Sequence, residues 1–414
     1  MGDRVIEAAP ARDGVGAGPV GPHIKSFIEH LVSLGYRQTT IRNQRSLVRV
    51  FDRWIADHHV TLADVDEDVI DAFLDEPPSG RRRQRGSGTT LQRLLTYLRA
   101  HGVARPTVVA VDDSPLAQLE RRYQHYLRAE RGLCATTVQT YSGFLRQFVS
   151  EHGGERGASV AGVSASDVAA FVQRHARAGS PGRAQLMTTA LRAMFRFFFQ
   201  VGELPVDFSV TVPTVPDWRL ATLPRSLAPE EVERLLAACD QQTPTGRRDY
   251  AILLLLARLG VRAGEVVALE LDDLHWRTGE VTIRGKKGLR HERFPLPTDV
   301  GAALATYLRE RPPSHTRGVF LCMRAPGRSF RGPGAVTTIV RRALARADLH
   351  PPVRGAHVLR HSLAIRMLGH GASFVEIGEG LRHRLPSTTE IYAKVDVESL
   401  RTVVQPWPEA GGAR

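Results

Sequence analysis

The chain has 414 residues, 42% of them hydrophobic, and its formal net charge at pH 7 is +13. This length exceeds that of most single domains, so we expect two or three domains. The sequence has no run of about 18 apolar residues, which argues against a membrane span. The positive charge favours a polyanionic partner, of which nucleic acid is the commonest. Arginine enrichment in a GC-rich genome is the alternative explanation.

Three scattered cysteines argue against a disulfide framework and against a zinc site. They are Cys134, Cys239 and Cys322. A reducing cytoplasm is therefore the predicted location. Residues 1–22 contain no apolar stretch of the kind found in secretory signals, and their Gly, Ala and Pro content predicts a disordered leader.

The first two hundred residues contain a weak internal repeat. Thr39-Thr40 is echoed by Thr136-Thr137, and three later apolar blocks match in the same order. Each block has the 3–4 spacing of an amphipathic helix, and Thr39 and Thr136 are the predicted helix N-caps. We therefore predict two four-helix domains and a proline-containing linker, at residues 23–104, 115–205 and 206–224.

A basic run precedes the last predicted helix of the first repeat. It consists of Arg81, Arg82, Arg83 and Arg85. A run of this kind is usually a solvated loop, but on a positively charged protein it is also a candidate for contact with DNA phosphates.

A different pattern begins near residue 225 and continues to residue 405, before a short tail at 406–414. Helical periodicity dominates, and Tyr250–Leu259 is typical of a buried helix. Two short strands are predicted around Glu280–Arg284 and Glu292–Leu296, with a lysine-bearing turn between them. The predicted fold class is mainly α with a small antiparallel β-sheet.

This C-terminal segment contains four short motifs in a fixed order. They are Gly260-Val261-Arg262-Ala263-Gly264-Glu265, Lys287-Gly288-Leu289-Arg290, His357-Val358-Leu359-Arg360-His361, and Leu381-Arg382-His383 followed nine residues after the histidine by Tyr392. Two arginines can bind the phosphate of a phosphodiester, histidines and a lysine can move protons, and a tyrosine hydroxyl can attack phosphorus. The combination indicates an enzyme that acts on DNA strands.

The order and spacing of these motifs resemble the catalytic domain of the tyrosine recombinases, the phage integrase family, over residues 225–405. The resemblance implies a role for each residue of the set. Arg262 and Arg360 would bind the phosphate, Tyr392 would be the nucleophile and His357 would accept its proton. Lys287 would protonate the leaving 5′ oxygen, and His383 would bind the scissile phosphate. Glu265 would position Arg262.

Two positions depart from the family pattern. Arg382 stands where the family usually has glycine, and two adjacent lysines replace a single one. Counting back from the following Pro-Leu selects Lys287, with Lys286 as the alternative and as a further candidate for DNA contact. His361 is expected to have a packing or capping role.

The resemblance also implies partners. The helical first half is similar to the core-binding domain of the family, which together with the catalytic domain would enclose duplex DNA. We expect double-stranded DNA with inverted half-sites, a homotetramer on that DNA, and no metal or cofactor, because arginines supply the positive charge. An accessory DNA-bending protein is a further candidate partner.

The predicted function is site-specific recombination through a 3′-phosphotyrosine intermediate. One alternative is a nicking and resealing enzyme similar to type IB topoisomerases. The other is a DNA-binding factor without catalysis.

Overall fold

The computed structural model describes residues 18–76, 86–106, 112–153, 160–216, 224–285, 291–383 and 385–395. The fold is mainly helical with one three-stranded antiparallel sheet, which confirms the predicted fold class. The chain divides into two compact units, one containing the described parts of 1–108 and 224–414, the other those of 109–223. No helix of the described residues is both long and apolar enough to cross a membrane.

The first helical segment contains four α-helices. They are α1 (Gly21–Ser33), α2 (Gln38–Asp57), α3 (Glu67–Asp75) and α4 (Ser87–Ala100). Their apolar faces form one core, in which Phe27, Phe51 and Leu98 are fully buried. The buried carboxylate of Asp52 accepts hydrogen bonds from three backbone N–H groups at the start of α1, at Gly18, Val20 and Gly21. Asp52 thereby fixes the beginning of the segment to α2.

The second helical segment has the same number of α-helices. They are α5 (Pro115–Ala129), α6 (Ala135–Gly153), α7 (Ala165–Ala178) and α8 (Pro181–Gln200). Their core is separate from that of the first segment and is rich in aromatic rings. Ser164 caps α7 in a reciprocal arrangement with Asp167, so the beginning of this helix is fixed by its own side chains.

The two helical segments share details of packing. In the first, the rings of Phe51 and Phe73 meet edge to face with centroids 5.1 Å apart. In the second, Phe148 and Phe171 meet in the same way, also at 5.1 Å. In the internal repeat of the sequence, Phe51 aligns with Phe148 and Phe73 aligns with Phe171.

The last helices of the two segments also end alike. Gly102 and Gly202 both have positive φ, +69° and +76°. The N–H of the residue two positions later donates in both cases to the carbonyl four residues before the glycine, on Leu98 or Phe198. The repeat therefore extends from sequence to backbone geometry, while the domain boundaries stay a prediction.

The predicted threonine caps are wrong. Helix α2 begins at Gln38 with Arg37 as its N-cap, and α6 begins at Ala135, so Thr39 and Thr136 lie within the first turns. Arg37 has an extended backbone and makes no side-chain cap hydrogen bond. Its carbonyl accepts the first helical hydrogen bond, from Ile41, so the helix starts before the threonines are reached.

The C-terminal segment contains seven α-helices among its described residues. They are α9 (Pro229–Ala237), α10 (Pro244–Leu259), α11 (Ala263–Ala268), α12 (Thr298–Arg309), α13 (Gly334–Arg346), α14 (His357–Gly369) and α15 (Phe374–Gly380). Helix α10 is apolar around its whole circumference, with Ala251–Ala257 buried throughout, and it contacts α9, α11, α12, α13 and α14. It is the central element on which the others pack.

The sheet consists of β1 (Leu274–His275), β2 (Glu280–Arg284) and β3 (His291–Pro295) in that order. The hairpin pairs Val281 with Phe294 and Arg284 with His291. Both longer strands lie within one residue of the predicted positions. Strand β1 was not predicted, because two residues are too few to show an alternating pattern.

Candidate active site

The site-residue motifs meet where three pieces of the C-terminal segment come together. The first is the junction of α10 and α11, the second is the beginning of α14, and the third is the stretch from the end of α15 to Tyr392. Gly260 allows the junction of α10 and α11 to lie close to the other two pieces, at Leu363 on α14 and Leu381 at the end of α15. It ends α10 with φ +56°, and a Cβ there would lie 2.6 Å from Leu381 and 3.0 Å from Leu363.

Arg262 and Glu265 form a reciprocal pair at the start of α11. Nη1 of Arg262 donates to Oε1 of Glu265 at 2.8 Å, and the Arg262 backbone N–H donates to Oε2 at 2.7 Å. The Glu265 side chain is buried, whereas that of Arg262 is 34% exposed. Glu265 thus fixes the position of the Arg262 guanidinium, which remains partly exposed to a ligand.

Arg360 lies in the first turn of α14 and is 4% exposed. Its Nη1 donates to the carbonyl of Gly260 and its Nη2 to the carbonyl of Leu381. Two backbone carbonyls from different chain segments therefore fix the plane of this guanidinium.

Arg382 belongs to the third piece, just after the end of α15, and contacts both Arg262 and Glu265. Its φ is +58°, the left-handed region that favours glycine. Its Nη2 donates to Oε2 of Glu265 at 3.2 Å, and its backbone carbonyl accepts from Nη2 of Arg262 at 3.1 Å. The guanidinium also lies 4.9 Å from the ring centroid of Phe294 on β3.

Tyr392 lies in a 3-10 helix, Glu390–Val395, and is 1% exposed. Its hydroxyl is hydrogen-bonded to Nδ1 of His361 at 2.9 Å. The ring of His383 stacks beside it, with centroids 6.4 Å apart and 8° between the planes. Nδ1 of His383 in turn is hydrogen-bonded to Oγ1 of Thr389 at 2.7 Å, which fixes the ring.

Burial and the arginine charges set the protonation states. Burial raises the pKa of Tyr392 to about 12, although the charge of Arg360 acts in the opposite direction. Burial, His357 and Arg360 lower the pKa of His361 to about 4. Burial, Arg360 and Arg262 lower the pKa of His383 to about 4. At neutral pH the tyrosine is therefore protonated and both histidines are neutral, so the tyrosine O–H donates and Nδ1 of His361 accepts.

The arginine pKa values show how crowded with positive charge the site is. Burial and the neighbouring charges of Arg262 and Arg382 together lower the pKa of Arg360 to about 9. Burial acts to raise the pKa of Glu265. The Arg262 N–H and the charge of Arg382 outweigh it, so the net pKa is below the ordinary value. An anion such as a phosphodiester would relieve the mutual repulsion of these arginines.

The structure brings together Arg262, Glu265, Arg360, His361, His383 and Tyr392. His357 is adjacent, with its ring centroid 6.4 Å from that of His361. The predicted Lys287 and its alternative Lys286 lie outside the described residues, as do Arg81, Arg82, Arg83 and Arg85.

Two residues differ from what the motifs suggested. The sequence predicts a packing or capping role for His361, but its side chain is hydrogen-bonded to the Tyr392 hydroxyl. Arg382 was noted only as a departure from glycine, but it makes a buried ion pair with Glu265. In the sequence, the signal for Arg382 was a basic residue directly before His383, and the signal for His361 was a second histidine four residues after His357. Neither pattern states which way its side chain points.

Comparison with known sequences places these features in a family. The profile of the Phage integrase family matches residues 225–399, and that of its N-terminal SAM-like domain matches residues 121–202. A putative integrase/recombinase, y4rA of Sinorhizobium fredii, is 41% identical over 393 residues, which cover 94% of this chain and 95% of that protein. The tyrosine recombinase XerD of Listeria monocytogenes is 31% identical over 289 residues, covering 68% of this chain and 95% of XerD.

Solved structures share the fold. XerH site-specific recombinase bound to difH in a post-cleavage complex matches with a TM-score of 0.55 and 19% identity, over 72% of this chain and 99% of that one. A lambda integrase dimer bound to a core site matches with a TM-score of 0.51 and 18% identity, over 71% and 98%.

A helical fold with a small sheet, and a tyrosine enclosed by arginines and histidines, define an enzyme of the tyrosine recombinase class. The chain belongs to the phage integrase family, and its function is site-specific DNA recombination. These matches do not favour the alternatives, a topoisomerase-like enzyme or a factor without catalysis.

Proposed function

We propose that Tyr392 is the nucleophile of this recombinase and forms the 3′-phosphotyrosine. The observation that carries the proposal is the hydrogen bond between the Tyr392 hydroxyl and His361, beside the phosphate-binding candidate Arg360. A tyrosine buried in an ordinary core has no need of a neutral histidine and a buried arginine around its oxygen.

Arg262 and Arg360 bind the non-bridging oxygens of the scissile phosphate in this proposal. A phosphoryl-transfer transition state gathers negative charge on these oxygens, and a guanidinium offers paired donors without losing its charge. The contacts already made by Arg262 and Arg360 leave the orientation of both groups fixed before DNA binds. Such preorganisation lowers the cost of reaching the transition state. His383, fixed by Thr389, adds a further donor toward the phosphate.

The proton of Tyr392 has two candidate acceptors. The resemblance to the tyrosine recombinases favours His357, whereas the hydrogen bond in the structure favours His361. We propose that His361 receives the proton first, with His357 adjacent to it. Lys287, or Lys286, protonates the leaving 5′ oxygen.

The enclosed position of Tyr392 has a consequence for the reaction. Because only 1% of this residue is exposed, a phosphodiester reaches its oxygen only after the surrounding side chains or residues 385–395 shift. We propose that this shift accompanies DNA binding, so that a free protomer does not cleave.

We further propose duplex DNA with inverted half-sites as the substrate, bound by two protomers on each duplex and four in the synapse. The solved neighbours support this, since they include XerH bound to difH and a lambda integrase tetramer bound to a Holliday junction. The cytoplasm is the proposed location. An accessory DNA-bending protein stays a prediction.

The helical segments 23–104 and 115–205 are proposed as two related DNA-binding domains, with 225–405 as the catalytic domain. The second contains the SAM-like match, and the first repeats its ring packing and its last helix end. Helix α2 of the first segment also has a row of arginines at 3–4 spacing: Arg42, Arg45, Arg49 and Arg53. Arg42 and Arg53 are exposed, so this face suits contact with phosphates.

One experiment tests the chemistry. The full-length protein first selects its site from random duplex DNA, and the selected site is then made as a nicked suicide substrate. We expect a covalent protein–DNA adduct with the wild type and none with Tyr392→Phe. An adduct of equal yield from Tyr392→Phe, or none from the wild type on its selected site, would contradict the proposal. Relaxation of plasmids that lack the site would support the topoisomerase-like alternative.

A second experiment tests the first helical segment. Arg42→Glu in the full-length protein should weaken binding to the selected DNA and reduce the salt dependence of the affinity by about one phosphate contact. Lys25→Glu, on helix α1, makes the same change of charge on another exposed position and serves as the control. Equal effects of the two variants would mean that the face of α2 has no special role.

A further inference from the structure

The end of helix α15 is built around a residue that does not suit its conformation. The Arg382 N–H donates to the carbonyl of Glu379 at 2.9 Å, and the His383 N–H donates to that of Gly378 at 2.8 Å. This pair of hydrogen bonds is a Schellman motif, whose left-handed position normally belongs to glycine. Arg382 occupies that position with φ +58°. A non-glycine residue there costs about 1 kcal/mol of strain, so we expect the Arg382 side chain to have a function that offsets this cost.

The side chain of Arg382 is buried in the active site, where it forms an ion pair with Glu265. It is 6% exposed, and its ion-pair partner Glu265 is 7% exposed. Nη2 of Arg382 donates to Glu265 and also to the carbonyl of Gly260, at 3.2 and 3.4 Å. Among the described residues, Nε of Arg382 is a buried donor without a partner. Burying a guanidinium with one donor unsatisfied is expensive, which argues against a role in stability alone.

Arg382 also links the two phosphate-binding candidates. Its own carbonyl accepts from Arg262, and the carbonyl of the preceding residue, Leu381, accepts from Arg360. The Arg382 guanidinium also supports Arg262 indirectly. It donates to Glu265, and Glu265 in turn accepts from both the side chain and the backbone N–H of Arg262. Within the described parts of the chain, the hydrogen bonds of the Arg262 side chain therefore go to the carbonyl of Arg382 or to Glu265, the ion-pair partner of Arg382.

We propose that Arg382 is a positioning residue for strand cleavage, which holds Glu265 so that Arg262 points at the scissile phosphate. The proposal rests on the proposed function, since it assigns Arg262 to that phosphate. Arg382 itself does not touch the DNA. Its charge also offsets that of the buried Glu265, so that Arg262 keeps its positive charge available for the substrate.

Three substitutions separate the side chain from the backbone. Arg382→Gly removes the side chain and places the residue that the left-handed conformation favours, so it relieves the backbone strain while it removes the ion-pair partner of Glu265. Arg382→Gln keeps the strain and loses the charge. Arg382→Lys keeps both the strain and the charge. All three leave Tyr392, Arg262 and Arg360 in place.

The readout is the rate of covalent adduct formation on the suicide substrate at saturating DNA, with DNA affinity and thermal unfolding measured separately. We expect Arg382→Gly and Arg382→Gln to react about 10- to 100-fold more slowly than wild type, the usual effect of losing a group that orients a reacting residue. Arg382→Lys should recover part of this loss, with affinity changed little. Arg248→Lys is the matched control, because Arg248 is also buried, paired with Asp249 and near the ring of Phe330.

A double variant tests whether Arg382 acts through Glu265. If it does, Arg382→Gly combined with Glu265→Gln should be little slower than Glu265→Gln alone. Two results would overturn the inference. One is a wild-type rate of adduct formation in Arg382→Gly, and the other is a double variant whose loss of rate equals the product of the losses in the two single variants. Should Arg382→Gly fail to fold, equal rates for Arg382→Lys and Arg382→Gln would overturn it. An adduct from the wild type but not from Tyr392→Phe shows in the same assay that the proposed function holds independently.

Discussion

Nδ1 of His361 is hydrogen-bonded to the hydroxyl of Tyr392 at 2.9 Å, although thirty-one residues separate them in the chain. The histidine lies in the second turn of α14, and the tyrosine comes from a 3-10 helix that follows α15. The bond joins two motifs into one site and gives the tyrosine oxygen a defined direction.

Replacing His361 by alanine should slow adduct formation about 100-fold or more, the range typical of losing a proton-transfer group. The reason is that the Tyr392 hydroxyl loses its acceptor while its pKa stays high. Single-turnover cleavage of the suicide substrate measures this. The exposed His370, at the end of the same helix, provides the control variant His370→Ala, which should react like the wild type. A normal rate for His361→Ala together with a slow His357→Ala would assign the proton to His357.

Gly260→Ala should destabilise the protein by roughly 2 to 4 kcal/mol, from left-handed strain plus overpacking. The new Cβ would meet Leu381 at 2.6 Å and Leu363 at 3.0 Å. Gly279→Ala is the matched control. It has φ +67°, but among the described residues no atom lies within 4 Å of the added carbon, so about 1 kcal/mol of strain is expected. Urea unfolding compares the two, and equal losses would show that the close approach to Leu381 is not rigid.

The free energy of unfolding should decrease as the pH falls from about 6.5 to about 4. The pKa values of His361 and His383 are lowered to about 4 in the folded protein, from an ordinary 6.5. In this window the unfolded chain binds protons that the folded protein does not, so acid favours unfolding; above it the contribution is fully present. Thermal melts at several pH values should show a flatter dependence for His361→Asn/His383→Asn. A slope equal to that of the wild type would contradict the cause given, and His370→Asn, at the exposed end of α14, is the control variant.

Asp52→Ala should destabilise the first helical segment by about 2 to 3 kcal/mol. The carboxylate accepts three backbone N–H groups in a fully buried position, and hydrogen bonds to a charged group are worth more than neutral ones. Hydrogen exchange at the amide of Val20 would report the loss directly, whereas the amide of Gly21 also donates to the carbonyl of Gly18. Asp57→Ala, at the exposed end of the same helix, should have little effect. Unchanged exchange at Val20 in Asp52→Ala would show that these amides have other partners.

The sequence predicted the site residues whose type is set by the reaction itself. Arg262, Arg360, His383 and Tyr392 belong to spaced motifs, so the motifs alone were enough to predict that these side chains meet. The partner of Tyr392 could not be predicted in this way. His357 and His361 lie one turn apart on α14, and the path of the chain after α15 decides which of them meets the hydroxyl.

The role of Arg382 could not be predicted from the sequence either. The sequence marks it as a departure from glycine, but its importance depends on a left-handed backbone and on Glu265, more than a hundred residues away. The fold was easier to predict. Apolar spacing located the helices and the two longer strands, while β1 exists only because β2 pairs with it.

The carbonyls of Gly260, Leu381 and Arg382 support the two phosphate-binding candidates, Arg262 and Arg360. Main-chain oxygens are the same for every amino acid, so these supports depend on the path of the backbone at the three positions and not on the chemistry of their side chains. The same arrangement joins both arginines to one helix end. If the last turn of α15 unwinds, Arg262 and Arg360 each lose one support in the same event, so the order of the catalytic centre decreases at both arginines together.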